Sequence, residues 1–201
     1  VYFSASRLSM VDRGVVVGYA HIRGGGEFGR KWKLDGKLDK KLNTFQDFIA
    51  CSQGLIDSGM TDNKNLVISG RSAGGLLMGA VMNMRADLYH AVIANVPFID
   101  VINRMLDETI SLVAGEWEEW GDPRTINDYF YMKGYSPYNN ISTQQYPNIL
   151  LIGGLNDPRV KYWEPAKLCA KLREYKRIYG HLYDKNTDAN TILFTTNISA
   201  G

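Results

Sequence analysis

Cysteine is scarce in this chain, and long apolar runs are absent. Among its 201 residues there are two cysteines, Cys51 and Cys169, whose wide separation fits neither a metal site nor a redox dithiol. We therefore expect ordinary buried thiols in a reducing compartment, with the cytoplasm as the default, and neither a metal nor another cofactor. No stretch approaches the roughly 20 apolar residues of a membrane span, and the start of the chain lacks the layout of a signal peptide. A membrane partner is not expected.

A surplus of one charge is also missing. The chain carries 23 Lys and Arg against 21 Asp and Glu, a net charge of +2, without a dense basic stripe. Nucleic acid is therefore not an expected partner. Hydrophobic residues make up 45% of the chain and charged residues 22%, which is typical of one globular domain that can bury a core.

The most informative segment runs from Leu66 to Gly75. It begins as a short apolar strand, continues as Gly-x-Ser-x-Gly with Ser72 at the centre, and passes into a proline-free run that predicts a buried helix over 76–84. Strand, sharp turn and helix in this order form the nucleophile elbow of an α/β-hydrolase. We predict that Ser72 is the nucleophile and that the backbone N–H of Ala73 stabilises the oxyanion. The motif alone can arise by chance in a chain with 20 glycines, so its strand-to-helix context favours the catalytic interpretation.

Strands and helices are predicted to alternate along the chain. This pattern indicates one α/β domain with the α/β-hydrolase fold, in which a mostly parallel sheet carries helices on both faces. Thr44 and Asp47 resemble a capping box at a helix start, and an irregular, aromatic and acidic stretch is expected between Asp100 and Ile149. The predicted strands are 15–21, 66–69, 91–96, 149–154 and 191–196, and the predicted helices are 45–58, 76–84 and 164–178.

Asp157 follows the predicted strand 149–154, at the sheet edge where α/β enzymes place their chemistry. The chain order of the triad in this fold is Ser, Asp and then His, so we predict that Asp157 orients a catalytic histidine. The alternative is an Asp-Pro turn without a catalytic role.

A histidine after the last predicted strand, where the base is expected, is missing. The three histidines are His21, His90 and His181. Only His181 follows Asp157, and its place before the last strand puts it at the opposite end of the sheet. We interpret all three as structural residues, with His181 the best of three poor candidates for the base.

Several segments, in a fixed order, carry a resemblance to a known family. The first set is Arg23–Gly29 (RGGGEFG), Gly70–Gly75 (GRSAGG), Asn95–Phe98 (NVPF) and Gly115–Gly121 (GEWEEWG). The second set is Tyr135–Tyr138 (YSPY), Tyr146–Asn148 (YPN) and Asp157–Lys167 (DPRVKYWEPAK). The first set resembles the catalytic domain of the prolyl oligopeptidase family of serine peptidases, and the second is most similar to the oligopeptidase B group of that family. The resemblance covers nearly the whole chain.

The resemblance implies hydrolysis of short peptides after Arg or Lys without a metal or other cofactor, with Ser72 as nucleophile and Asp157 as acid. Residues 1–201 would then be part of an α/β-hydrolase catalytic domain, without the family's N-terminal β-propeller and without the tyrosine that supplies a second oxyanion donor upstream of Val1. The family histidine would fall immediately after Gly201. We therefore expect this chain by itself to be inactive.

Charge and the resemblance together point to a pocket for a basic side chain. A guanidinium or ammonium group needs a fixed carboxylate and apolar walls, and Gly115–Trp120 concentrates both kinds of residue. Glu116 matches the family's main contact with the side chain at P1, the residue before the scissile bond, while Glu118 is a candidate helper and Phe98 a wall. Arg159 resembles the arginine that holds a substrate carbonyl or carboxylate.

The alternatives for these residues are a solvated acidic run and a surface arginine. For Glu119 the solvated interpretation is the preferred one. Arg23 and Glu27 are expected to pair with each other structurally, and Arg71 is assigned no chemistry.

Two other functions stay open from the sequence. An α/β-hydrolase acting as an esterase or acylaminoacyl-peptidase would share Ser72 and Asp157 but would have no use for the acidic segment around Glu116. A catalytically inactive hydrolase-fold binding protein is suggested by the missing histidine. The retention of Ser72, Asp157 and Glu116 argues against it.

Overall fold

The computed structural model describes residues 5–110, 113–182 and 190–199. The described elements follow one another as α1 (Ala5–Val11), α2 (Gly29–Leu34), α3 (Leu42–Asp57), β1 (Val67–Arg71), α4 (Ala73–Met84), β2 (Ala91–Asn95), α5 (Val101–Leu106), α6 (Val113–Trp120), α7 (Ile126–Tyr135), β3 (Asn148–Gly154), α8 (Trp163–Tyr179) and β4 (Ile192–Asn197). Short 3-10 turns occur at Leu38–Lys40, Ala86–Leu88 and Gly180–Leu182. No helix within these ranges combines the length and apolarity that a membrane crossing requires.

The sheet is parallel throughout, and its strands lie side by side in chain order from β1 to β4. One row across it is buried and consists of Ile68, Val92, Ile149 and Ile192. The helices α4 and α8 cover this face, because Met78 lies against Gly70 and Pro165 lies against Gly153. The α/β class and the parallel sheet of the predicted fold are confirmed.

The opposite face of the sheet is more open in the described chain. Its side chains alternate with the buried ones along each strand, as the two-residue period of a strand requires. Leu193 on this face is 51% exposed, whereas the neighbouring Ile192 is 8% exposed. The helices α4 and α8 thus share one face of the sheet.

Residues 15–21 are predicted to form a strand, and this prediction is wrong for the described structure. The segment makes no ladder with β1, which is an edge strand of the described sheet, and Val16 is 81% exposed. An apolar run becomes a strand only where a neighbour pairs with its backbone groups. The sequence shows the apolar run 15–21, but it does not show whether another strand lies beside it to pair with it.

The stretch after Asp100 is expected to be irregular, but it folds into α5, α6 and α7. Thr125 caps α7, because its side chain accepts the N–H of Asp128 at 3.3 Å. The acidic and aromatic residues of 115–120 therefore stand on a helix, α6, which fixes their relative directions.

The predicted capping box of α3 is also wrong. Lys41 is the cap residue and makes no side-chain cap bond. Thr44 instead donates to the carbonyl of Arg23 at 2.7 Å, and Asp47 accepts two side-chain bonds from Arg23 at 2.6 and 2.8 Å. The guanidinium lowers the pKa of Asp47. Arg23 thus pairs with Asp47, and Glu27, its expected partner, lies 3.4 Å from His21.

Candidate active site

Ser72 stands between β1 and α4 with φ 53° and ψ −116°, a backbone conformation that costs a residue with a Cβ strain energy. Four backbone hydrogen bonds hold it there, one of them the helical bond from the N–H of Leu76 to the Ser72 carbonyl at 3.1 Å. Its N–H donates to the Asn95 carbonyl at 2.9 Å, and its carbonyl accepts from the N–H groups of Gly75 at 2.8 Å and Phe98 at 3.3 Å. The strained residue is thereby tied to β2 and to the loop that follows β2. Ser72 itself is exposed, as a nucleophile must be.

Two glycines permit the tight packing of this elbow. A Cβ on Gly70 would lie 2.2 Å from the carbonyl oxygen of Gly74, and a Cβ on Gly75 would lie 2.6 Å from the Cα of Pro97. Gly74, the last residue of the Gly-x-Ser-x-Gly motif, has open space around its Cβ position. The steric demand therefore falls on Gly70 and Gly75.

Ala73 is the first residue of α4. The first N–H groups of a helix have no intrahelical acceptor, and within the described ranges the N–H of Ala73 has no other one. The helix dipole adds positive potential at this end. An oxyanion formed on a carbonyl beside Ser72 would meet an available donor here.

Asp157 lies in the loop after β3 and is half-buried. Its Oδ1 accepts the backbone N–H groups of Arg159 and Val160, each at 2.9 Å. No described donor reaches Oδ2, which can therefore accept a proton donor from outside the loop. The turn-forming role and the catalytic role predicted for Asp157 use different oxygens and are compatible.

Ser72 and Asp157 follow the carboxyl ends of β1 and β3, which are separated only by β2. At the usual strand spacing, the ends of these two strands are about 10 Å apart. An imidazole with a hydrogen bond on each side joins two oxygens about 7 to 8 Å apart, so it fits between side chains that extend from these two strand ends.

The described histidines lie elsewhere. His181 is in the turn after α8, at the amino end of β4, and the carbonyl of His90 accepts the N–H of Asn148 at the amino end of β3. His21 lies beside Glu27. His90 and His181 thus lie at the opposite edge of the sheet from Ser72 and Asp157, and no hydrogen bond or ion pair among the described residues joins His21 to either of them.

The chain leaving β4 runs beside the Asp157 loop. The N–H of Leu155 donates to the carbonyl of Asn197 at 3.0 Å, and the amide of Asn156 donates to the carbonyl of Ile198 at 3.2 Å. Residues that directly follow β4 are thus held next to Asp157.

Phe98 contacts the elbow directly, and the buried Arg104 connects Phe98 to Glu116. Phe98 is 3% exposed, its N–H contacts Ser72, and its ring packs edge-on against Trp120 at 5.2 Å. The guanidinium of Arg104 lies 5.1 Å from the Phe98 ring and 3.5 Å from the Glu116 carboxylate. The described contacts therefore run from Ser72 through Phe98 and Arg104 to Glu116.

The other two predicted substrate-binding residues stand apart from this line. Glu118 is exposed, and at two residues from Glu116 on α6 it points about 200° away around the helix. Arg159 is exposed in the loop that holds Asp157. Glu119, expected to be solvated, instead accepts from the buried Lys41 ammonium group at 2.9 Å.

Sequence reasoning missed two charged residues of this region. Arg104 is 6% exposed and Glu164 is 4% exposed. Oε2 of Glu164 accepts the N–H groups of Ile99 and Asp100 at 3.0 and 3.2 Å, and burial raises the pKa of Glu164 to about 7. Neither residue has a sequence signal beyond the place of Glu164 in the Asp157–Lys167 motif. In the described ranges no three His, Cys, Asp or Glu side chains gather as a metal site would require.

Comparisons with known proteins identify relatives of this chain in both sequence and fold. The profile of the prolyl oligopeptidase family matches residues 1–192. Protease 2 of Moraxella lacunata is 48% identical over 199 residues, covering 99% of this chain and 27% of that protein. Dipeptidyl aminopeptidase BI of Pseudoxanthomonas mexicana is 46% identical, with 99% and 26% covered.

Among solved structures, oligopeptidase B from Trypanosoma brucei, with covalently bound antipain in a closed form, superposes with a TM-score of 0.82 at 50% identity. The match covers 90% of this chain and 24% of that one. Oligopeptidase B from Leishmania major gives 0.82 at 49% identity, with the same coverage. The chain spans about a quarter of the length of these relatives. The predicted similarity to oligopeptidase B is confirmed, and the chain belongs to the prolyl oligopeptidase family.

Proposed function

We propose that this chain is the catalytic part of a serine peptidase that hydrolyses short peptides after Arg or Lys. The observation that carries the proposal is the strained, exposed Ser72 at the head of α4. Its Oγ attacks the carbonyl carbon of the scissile bond while a histidine takes the hydroxyl proton. The N–H of Ala73 binds the oxyanion, the protonated histidine gives its proton to the leaving amine, and water then hydrolyses the acyl-enzyme.

Asp157 orients that histidine through Oδ2, the oxygen that the turn leaves available. We place the histidine in the segment after β4, because Asn156 holds this segment beside the Asp157 loop. The residue after Gly201 is the candidate. By this proposal, residues 1–201 alone lack the general base and are inactive.

Glu116 binds the basic P1 side chain, and the buried ring of Phe98 lines its aliphatic stem. Glu116 suits this role because its side chain is 34% exposed, so that a substrate cation can reach it. Arg159 holds a substrate carbonyl or carboxylate in this proposal, which its exposure in the loop that holds Asp157 supports. Glu118, exposed on another side of α6, would act on more distant substrate residues.

A second activity deserves a test because one relative at 46% identity is a dipeptidyl aminopeptidase. Such an enzyme requires a free amino terminus two residues before the cleaved bond, which a blocked substrate lacks.

We also propose a cytoplasmic location, since Cys51 and Cys169 are both free thiols.

The test uses the complete protein that carries this sequence. It compares kcat/KM for matched blocked peptides with Arg, Lys or Ala at P1, for an unblocked dipeptide substrate, and for an uncharged aminoacyl ester. We expect rapid cleavage after Arg and Lys and none by Ser72→Ala. Ester hydrolysis without cleavage after Arg or Lys would favour an esterase, and binding without any turnover would favour an inactive hydrolase-fold protein.

A further inference from the structure

Arg104 is a buried cation inside the region proposed to bind the P1 side chain. Its side chain is 5% exposed, and its guanidinium lies between two carboxylates, 3.5 Å from Glu116 and 4.0 Å from Glu164. The Phe98 ring covers it at 5.1 Å. The residue proposed to receive a substrate cation thus already faces a cation of the protein.

The contacts of Arg104 do not saturate it. Its Nε and one of its terminal nitrogens, Nη1, are buried without a hydrogen-bond partner, and its approach to Glu116 is longer than a good charge-assisted hydrogen bond. A guanidinium in a bidentate pair would satisfy a carboxylate fully. Arg104 instead neutralises the Glu116 carboxylate only in part, at 3.5 Å, and the Glu116 side chain remains partly open to solvent.

Glu164 cannot neutralise Arg104 completely. Burial raises the pKa of Glu164 to about 7, so part of the population is protonated at neutral pH. Its Oε2 is also engaged by two backbone N–H groups. The remaining carboxylate nearby, Asp100, pairs with Lys167 of α8. Arg104 therefore depends on Glu116 for its counter-charge.

We propose that Arg104 is a specificity-determining residue that shares Glu116 with the substrate and so weakens the preference for a charged P1 side chain. This inference rests on the proposed function, in which Glu116 receives that side chain. A P1 guanidinium gains from Glu116 but is repelled by Arg104. An uncharged P1 side chain of the same shape is neither attracted by Glu116 nor repelled by Arg104. The ratio of kcat/KM for a charged over an uncharged P1 side chain is therefore smaller than Glu116 alone would give.

The test compares arginine and citrulline at P1, since citrulline has nearly the same shape and no charge. In the complete protein, Arg104→Met is expected to raise the ratio of kcat/KM for arginine over citrulline about tenfold, because a fixed like charge is removed from a partly buried site. Arg104→Lys keeps the charge and is expected to keep the ratio within about threefold of wild type. If Arg104 only supported the fold, Arg104→Met would lower kcat/KM for both substrates by the same factor and leave the ratio unchanged.

A double variant shows whether Arg104 acts through Glu116. In the Glu116→Gln background, adding Arg104→Met should change the ratio of kcat/KM for arginine over citrulline by less than it does in the wild-type background, and the two substitutions should be non-additive for the arginine substrate. If Arg104→Met fails to fold, Arg104→Gln removes the same charge while keeping hydrogen-bonding capacity. An unchanged or lower ratio in the folded variant overturns the proposal. Wild-type protein that cleaves neither substrate overturns the proposed function itself, which is a different result.

Discussion

Replacing Glu164 by Gln is expected to remove a pH dependence of stability. Glu164 is 4% exposed, and burial raises its pKa from 4.5 to about 7, while the two backbone N–H groups and Arg104 offset part of that effect. The folded state therefore binds this proton more tightly than the unfolded state does. The free energy of unfolding falls as the pH rises from about 4.5 to about 7 and loses nothing further from this group above pH 7.

The size of the effect follows from the two pKa values. A displacement from 4.5 to about 7 corresponds to about 3 kcal/mol, at 1.36 kcal/mol for each pH unit. The amide of Gln is neutral at every pH, and its oxygen can still accept the N–H groups of Ile99 and Asp100. Glu164→Gln should thus exceed wild type by less than about 1 kcal/mol at pH 5 and by up to about 3 kcal/mol at pH 8.

Urea unfolding of the complete protein at pH 5 and pH 8 measures this difference. Glu108→Gln is the matched control, because the Glu108 side chain is 66% exposed in its pair with Arg124 and its replacement should change stability by less than about 1 kcal/mol. A Glu164→Gln variant that is less stable than wild type at pH 8 would show that Glu164 is ionised and firmly paired with Arg104. That result would refute the reasoning.

Three further predictions concern the elbow and the P1 site. Ser72→Ala should lower turnover by about a million-fold and leave peptide binding intact in a calorimetric titration; residual activity near wild type would exclude Ser72. Glu116→Gln should cost about 2 to 4 kcal/mol of transition-state binding for an arginine substrate, measured as kcat/KM, and little for alanine at P1. Glu118→Gln is its control, and equal losses in both variants would mean that Glu116 has no special role. Gly75→Ala should destabilise the protein, because the added Cβ would lie 2.6 Å from the Cα of Pro97. Gly74→Ala should be tolerated, because the space at its Cβ position is open. Equal melting temperatures of the two variants would contradict this packing.

The sequence predicted the elements whose pattern is local. The apolar run before Ser72 and the proline-free helix after it are visible in the chain, and β1 and α4 match them closely. Asp157 could be placed because a strand-end loop in a parallel sheet lies at a known edge. Such inferences need only the order and type of residues.

Features that depend on distant partners could not be predicted. The run 15–21 has strand composition, but pairing requires a neighbour that composition does not specify. Asp47 has the spacing of a capping residue, yet Arg23, 24 positions earlier, takes its carboxylate. Arg104 and Glu164 look like ordinary helix residues, and only the packing of α5 against the loop after β2 and α8 brings them together.

Labelling with a fluorophosphonate tests the central claim most directly. The complete protein is treated with the reagent, digested and mapped by mass spectrometry, with Ser72→Ala as the control. A single adduct on Ser72, formed together with loss of peptidase activity and absent from the variant, is the predicted result. Loss of activity with Ser72 unmodified, or an active protein whose Ser72 carries the adduct, would contradict the assignment of Ser72 as the nucleophile.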